Sequence, residues 1–561
     1  MLDPAYKYPG IPKKKMNADK TGAGASAEPD QRRETMSVNR RSFLAGAAVS
    51  GIAGLAPAAF ASASGEAKMP SKWDITTDVA VAGSGIAGMC AAAAAVDGGA
   101  KVIVFEKGEN YGGAAVINGG IMALQGGTKW QREHGVEDSP QRLYEHLTDP
   151  LNPEYKKNVP SLVKKYSEYC GPTQEWLEAR GVKFLPTATQ PGKYDSQHHE
   201  FYLHVYTDDP GDGNRKPQPS GGFMGGRGVM MPLKAYCEGK GVEIRLGHKV
   251  TDVYKNADGR VIGARVEANG KVLNVRVRKG VVLAGGNFKS NVPMRRVIDP
   301  RFATPAIPAT GYPHYEDDGS AIMAGIRAGG MYEGGHGEDT PYMRRRFGTT
   351  TYGFPKGSKF GHPGIAVAGP RWGDVIFTNR DGKRFVREED KKNLGGFTFY
   401  DVALKQPGLV LWTIFDDAAA KKNHWSIDEA VCEKGLAFKA DTIEELAKAT
   451  NQPELPAQVE RYNGFVAAGK DDEFAKPAEL MKAKIEKAPF YAVRLVIFLH
   501  NCPGGLMIND NAQVLDLTGK PIEGLYAAGE SCGGLYVGNG MPRGIIPGRW
   551  AGEHASKAKS A

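Results

Sequence analysis

The chain runs to 561 residues, 41% hydrophobic and 24% charged, with a formal net charge of +9. That size predicts two or three units with ample core, in the composition of an ordinary soluble globular protein. Residues 1–68 carry ten Lys/Arg against six Asp/Glu, which leaves roughly +5 for the rest, too mild to argue for nucleic acid. Six cysteines (Cys90, Cys170, Cys237, Cys432, Cys502 and Cys532) form no CxxC pair. That excludes a haem c attachment site, a thioredoxin-like pair and zinc-site spacing, and leaves a structural disulfide open.

The N-terminus reads as an address. Asn39-Arg40-Arg41-Ser42-Phe43-Leu44 precedes an Ala/Gly-rich apolar run from Ala45 to Ala59, with small-residue cleavage sites at Ala59-Phe60-Ala61 and Ala61-Ser62-Ala63. The pattern resembles a twin-arginine export signal, which serves proteins folded before export, and it implies a periplasmic location. The run is too short and too rich in small residues to predict a permanent membrane span. Met36 stands just before the motif. Residues 1–35 therefore read as an extension or a mis-assigned start, and residues 36–68 as the signal.

From Asp78 the pattern changes. Asp78-Val79-Ala80-Val81-Ala82 predicts a strand, and Gly83-Ser84-Gly85-Ile86-Ala87-Gly88 a glycine turn opening a helix. Val102-Ile103-Val104-Phe105 predicts a second strand, ending at Glu106-Lys107. Gly83 permits the tight turn, Gly85 lets backbone amides reach a pyrophosphate, and Gly88 lets helix and strand pack closely. The helix N-terminus offers free N–H groups and a positive dipole end. Glu106 lies eighteen residues after Gly88, where a ribose-binding carboxylate belongs. The chain is expected to bind an adenine dinucleotide.

Downstream, residues 112–120 form a glycine-dense loop that allows close backbone approach to a ligand. Residues 139–181 read as mixed helical, and residues 194–219, rich in His, Tyr, Asp, Pro and Gly, as irregular loop. Strands are predicted at 242–246, 250–254 and 261–266, the last two joined by an Asp258-Gly259 turn. A buried strand is predicted to run through Gly280 to Leu283 and end against a ligand at Ala284-Gly285-Gly286. Residues 338–494 differ in character, with helix-like stretches near 415–423, 442–449 and 456–468, and read as an inserted domain. The first domain resumes through Gly524 to Glu530. The expected architecture is α/β: a two-part Rossmann-like domain (residues 69–337 and 495–561) with an inserted α+β capping domain (338–494).

Together these landmarks resemble the flavoprotein family of fumarate reductases, enoate reductases and 3-ketosteroid dehydrogenases. The resemblance covers residues 75–557. It rests on the order of the 83–88 turn with Glu106, Gly112-Gly113, Ala284-Gly285-Gly286, Asn379-Arg380-Asp381-Gly382-Lys383-Arg384-Phe385, Gly504-Gly505-Leu506-Met507-Ile508, Gly524 to Glu530, and Gly548-Arg549-Trp550-Ala551-Gly552. It implies FAD, bound non-covalently, because no His lies in the 112–120 loop where the covalent link of the respiratory complexes would fall. The implied cofactor-binding residues begin with Gly83, Ser84, Gly85, Ala87, Gly88, and Glu106 on the ribose. Lys107, Gly112, Gly113, Ala114, Asn118, Gly119 and Gly120 would lie along the dinucleotide. Val250 joins this set, and Ala284, Gly285 and Gly286 would border the adenosine. Gly529 and Glu530 would hold the ribityl chain, and the backbone of Gly544, Ile545 and Ile546 would face the flavin pyrimidine edge.

For catalysis the resemblance implies His336 and His500 as substrate-binding histidines and Arg543 as a carboxylate clamp. Around them the sequence departs from the family: Gly337 replaces a proline, Asn501-Cys502-Pro503 is unusual, and the segment before Arg549 is short. The sharpest departure is Ala420, where fumarate reductases place the proton-donating Arg of the cap. Glu388, a relay residue by analogy, is kept, but Lys391 replaces the second relay Arg. Lys421 and Lys422 stand next door, and a lysine could substitute only with a depressed pKa. Tyr342, Tyr352, Tyr491 and Tyr536 are expected to border the cavity, and Tyr536, between Glu530 and Arg543, is the preferred acid–base residue.

The expected function is that of an FAD-dependent oxidoreductase acting on CH–CH groups, exchanging hydride between flavin N5 and an enone, aromatic or steroid-like molecule. Two alternatives stand beside it: reduction of an α,β-unsaturated carboxylate, and a non-redox flavin-bound isomerase or hydratase. Without a haem site, electrons would pass through an external carrier such as a c-type cytochrome or a quinone-linked protein.

Overall fold

The computed structural model describes residues 67–150, 158–189, 202–208, 223–297, 300–307, 309, 317–334, 349–352, 373–388, 402–423, 437–499, 504–537 and 540–561. Residues 1–66, which hold the Arg40-Arg41 motif expected to be an export signal, lie outside the described residues, as do His336, Tyr342, Lys391 and His500.

An eight-stranded sheet forms the centre. Its main path runs Gln513–Leu515, Pro521–Ala527, Lys271–Leu283, Ile75–Ala82, Val102–Phe105 and Glu243–Arg245. From Pro521–Ala527 onward the neighbours are parallel, with Val79 opposite both Gly280 and Val102. A parallel sheet is covered on both faces, which is why its strands read as continuous apolar runs. Val79, Ala80 and Val81 are all fully buried. Strands from both ends of the chain thus share one sheet, and their carboxyl ends define one rim.

Two expectations need correction. The strand predicted from Gly280 begins at Lys271. Its first half pairs antiparallel with Val261–Ala268, which pairs in turn with His248–Lys255, and only its second half joins the parallel layer. The stretch 194–219 is not wholly irregular, because Tyr202–Thr207 is a strand between Ile121–Met122 and Phe184–Thr189. Its period-two pattern, with Leu203 and Val205 buried, is masked by the polar and glycine-rich residues around it.

A second, antiparallel sheet orders Thr349–Tyr352, Phe490–Phe498, Leu411–Asp416 and Ile376–Asn379, with Ala437–Ala440 also on Phe490–Phe498. Strand alternation sends successive side chains to opposite faces. Ile376, Ile414 and Ala492 pack under the helices Ile443–Thr450 and Leu455–Ala468. Phe377, Phe415 and Val493 face the other way, into a cluster that includes Phe288, Ile322 and Tyr536. This sheet is the cap, and its inner face is continuous with residues from both parts of the first domain.

The C-terminal helix, Gly540–Lys557, lies along the first helix, Ile86–Asp97. Gly544 faces Ile86 and Ala87, Gly548 faces Ala87 and Cys90, and Gly552 faces Ala91 and Ala94. The pairs rise together, so the helices run parallel, and backbone nearly touches backbone. Cys90, Cys170, Cys237 and Cys532 are buried free thiols. Burial pushes Cys237 up to about 12 and Cys532 to about 11, which leaves little nucleophilic thiolate. Among the described residues, no helix is long and apolar enough to cross a membrane.

A Cβ at position 548 would overlap the carbonyl oxygen of Ala87. Gly548→Val is expected to destabilise the fold by about 1–3 kcal/mol, as overpacking does. Thermal unfolding and the flavin-to-protein absorbance ratio should both fall.

Candidate active site

Carboxyl ends of parallel strands are where open α/β sheets bind ligands, and four loops meet there. Gly83 has φ +102°, a conformation suited to glycine, and a Cβ on it would lie 2.5 Å from Ala284 O. The 83–88 turn and the 284–286 segment are therefore in contact. Ser84 donates its N–H and its hydroxyl to Glu106 Oε2, both at 2.8 Å, and Gly108 N–H donates to Oε1 at 2.8 Å. Gly112 N–H donates to Ser84 Oγ at 3.0 Å, and a Cβ on Gly113 would lie 3.7 Å from Gly85 Cα. Two glycine loops and a carboxylate are thus gathered at the start of the first helix.

This end is built for an anion. Gly85 caps the helix without any side-chain bond, and the space where its Cβ would stand is open. Uncapped N–H groups, the dipole end and a glycine floor fit a diphosphate, with Glu106 beside it for a ribose. The residues present therefore fit FAD: Gly83 to Gly88 and Gly112-Gly113 would hold the diphosphate, and Glu106 the adenosine ribose. Lys107 is tied to Asp318 at 2.8 Å, and Lys249 reaches the same carboxylate at 2.9 Å. Burial pushes Asp318 up, but the two ammonium groups outweigh it and hold the carboxyl well below its usual range. Asn118 accepts from Gly120 N–H at 2.7 Å. Ala114 and Gly119 are exposed, while Val250 is buried in its strand opposite Val266.

Glu530 is half-buried, and Asn287 Nδ2 donates to its Oε2 at 2.5 Å. Burial, with Asp317 adding to it, raises this carboxyl above its ordinary value against the opposing pull of Lys289. Gly529, at φ +68°, sits against Ala87 of the first helix and Gly544 of the last. The expectation for Gly544, Ile545 and Ile546 needs correction. They occupy the second turn, where N–H groups are spent within the helix, and Gly544 is turned onto Ile86. The free amides belong to the first turn, Gly540 to Arg543, in which Pro542 has none.

Tyr536 and Arg543 come together. Tyr536 is buried, its hydroxyl donates to Glu333 Oε2 at 2.6 Å, and its ring lies 5.7 Å from the Arg543 guanidinium. Burial first, and the Glu333 carboxylate second, push its phenol far above the ordinary range. Its backbone is clamped by Asn158, which accepts from Tyr536 N–H at 2.5 Å and donates to its carbonyl at 3.1 Å. Arg543 is 8% exposed and donates to Cys532 O at 3.1 Å, while its Nε has no partner. Among the described residues no carboxylate pairs with it. Sequence reading overlooks Glu333, Asn158 and Asn287, because each acts across more than 200 residues.

On the cap, Ala420 is buried beside Ala419 in the cluster that holds Tyr536. Neither neighbouring lysine replaces a donor. Lys421 is 79% exposed and paired with Asp417, and Lys422 is 57% exposed and paired with Asp374. Glu388 is fully buried between Arg384 Nη2 at 2.7 Å and Lys476 Nζ at 3.3 Å, with Phe377 N–H at 3.0 Å. Arg384 also holds Asp471 at 3.0 Å. Tyr491 stacks on Phe415 within the cap, with ring centroids 5.4 Å apart. Tyr352 ends the strand Thr349–Tyr352, opposite Leu495.

A Rossmann-like rim for a dinucleotide beneath an inserted cap, with a buried Tyr–Arg–Glu cluster where they meet, defines a flavin-dependent oxidoreductase. The chain belongs to the FAD binding domain family, whose profile matches residues 78–542, and it is an FAD-dependent oxidoreductase. It is 31% identical over 494 residues to the probable fumarate reductase Ifc3 of Shewanella frigidimarina, covering 86% of this chain and 75% of that one. The open conformation of a flavocytochrome c3 fumarate reductase superposes with a TM-score of 0.67 at 28% identity, over 86% of this chain and 79% of that one. A 3-ketosteroid-Δ4-(5α)-dehydrogenase from Rhodococcus jostii, in complex with 4-androstene-3,17-dione, gives 0.55 at 27% identity, over 88% and 99%.

Removing the Glu388 charge breaks its ion pairs with Arg384 and Lys476 and leaves those two buried cations against one buried carboxylate, Asp471, so Glu388→Gln should cost about 3–5 kcal/mol at neutral pH. Burial pushes Glu388 up, but Lys476 and Arg384 hold it below its ordinary value. Its contribution is therefore present above the unfolded value near ~4.3 and lost as pH falls through the folded value. Denaturant unfolding of both proteins at pH 7 and in acid should show the difference shrinking.

Proposed function

We propose that the protein moves a hydride and a proton across a carbon–carbon bond activated by an adjacent carbonyl, in an enone or steroid-like molecule, with Tyr536 handling the proton. The observation carrying this reading is the Tyr536 phenol, buried where the flavin-side loop meets the core of the cap, on a cap whose position 420 is alanine. FAD, held non-covalently in our reading, supplies the hydride exchange when bound. Tyr536 supplies or removes the proton, fixed by Asn158 and Glu333. The apolar residues around it exclude water, so a proton moves only along hydrogen bonds.

A second reading has its own support. A buried guanidinium without a carboxylate partner is costly, and a substrate carboxylate would meet Arg543 with charge-assisted bonds. Reduction of an α,β-unsaturated carboxylate is therefore the rival. His336 and His500 enter either reading as substrate-binding residues. We also propose export through the signal around Arg40-Arg41, a cap spanning 338–494, and electron exchange with an external c-type cytochrome or quinone-linked protein.

Reoxidation of the anaerobically photoreduced protein by a panel of enones and enoates tests the choice. Tyr536→Phe is expected to lower kcat by about 10²–10⁴-fold with flavin content unchanged. Loss of enoate turnover in Arg543→Met, with enones unaffected, would establish the carboxylate reading instead. Flavin released by acid precipitation would support non-covalent binding.

A further inference from the structure

Glu333 stands three residues before His336 on the short strand Tyr332–Gly334, which pairs with Gly504–Leu506. Its side chain crosses to the loop ahead of the C-terminal helix, where Oε2 accepts from the Tyr536 hydroxyl at 2.6 Å and from Gly534 N–H at 2.9 Å. The approach is built by glycines. A Cβ on Gly533 would stand 2.5 Å from Glu333 Oε2, and one on Gly505, opposite Glu333, would stand 2.5 Å from the Cys532 carbonyl carbon. Among the described residues, Glu333 Oε1 makes no hydrogen bond. Tyr332, beside Glu333, and Arg543, over the ring, are the other titratable or charged groups that act on Tyr536.

A hydroxyl that donates to a carboxylate keeps its oxygen lone pairs for another partner. We propose that Glu333 is the positioning and proton-accepting partner of Tyr536, so that a substrate C–H proton passes to the phenol oxygen as the phenol's own proton passes to Glu333. In the dehydrogenation direction the C–H bond breaks and an O–H bond forms on Tyr536. The original O–H of Tyr536 breaks and one forms on Glu333; the pair left by the broken C–H bond becomes the new carbon–carbon π bond, as the neighbouring carbon's hydride carries its own pair to the FAD of the established activity. In reduction, protonated Glu333 returns its proton to Tyr536 as Tyr536 protonates carbon. This inference rests on Tyr536 as the proton-handling residue.

The test uses the flavin-loaded full chain and two readouts. Glu333→Gln keeps a hydrogen-bond acceptor but cannot take the proton as the carboxylate does, and should lower kcat by about 10²-fold or more with KM little changed. Glu333→Asp keeps a carboxylate and should restore part of the rate. Independently, 3-fluorotyrosine at position 536, read by ¹⁹F NMR, should titrate at lower pH in Glu333→Gln than in the unsubstituted chain, because a neighbouring carboxylate opposes phenolate formation. In the unsubstituted chain that resonance should stay protonated through the range where exposed fluorotyrosine ionises, and ionisation within that range overturns the inference without any variant at Glu333. A wild-type rate in Glu333→Gln, with Tyr536→Phe inactive, overturns the partnership and leaves Tyr536 in place. A wild-type rate in Tyr536→Phe removes the reading beneath both.

Discussion

The flavin end of this molecule depends on how closely two helices approach. The first begins at Ile86 and the last at Gly540, and they meet through Gly544, Gly548 and Gly552 on one side and Ala87, Ala91 and Ala94 on the other. Residues four apart lie on one helix face, so the three glycines form a single smooth stripe. Because the helices are parallel, their N-terminal ends lie together at the rim where the glycine loops converge. Gly529 rests on both, and carries Glu530 with it. Side chains larger than glycine would move the last helix outward, and Arg543 and the Tyr536 loop with it.

Charge is distributed unevenly above this frame. In the cap, Arg384, Glu388, Asp471 and Lys476 neutralise one another in full burial, binding the strand at Phe377 to the segment around Lys476. Such a network specifies how cap elements meet and has no charge left to offer a substrate. Arg543 is the reverse, a buried cation that among the described residues bonds only the Cys532 carbonyl and lies over the Tyr536 ring. An uncompensated buried charge is costly, and the substrate carboxylate of the rival reading would relieve that cost.

Much of this was open to a reading of the residues, for a physical reason. The turn at Gly83, the acid at Glu106 and the buried valine strands are local patterns, and sequence displays local patterns directly. Lys421 and Lys422 mislead because adjacency in sequence is not adjacency on a helix: residues one and two places from Ala420 point elsewhere. The strand Tyr202–Thr207 is hidden by the composition around it. Glu333 could not be read at all, since its partner lies 203 residues away and only the pairing of Tyr332–Gly334 with Gly504–Leu506 delivers it. The glycine stripe of the last helix is visible as spacing, but its meaning appears only once the first helix lies against it.

Two helices aligned pole to pole push each other apart, since each presents about half a positive charge at the shared end. One FAD would meet both ends at once, its diphosphate at the first helix and its flavin pyrimidine edge at the free amides of the last. A single ligand would thereby bridge the start of the first helix and the start of the last, segments far apart along the chain.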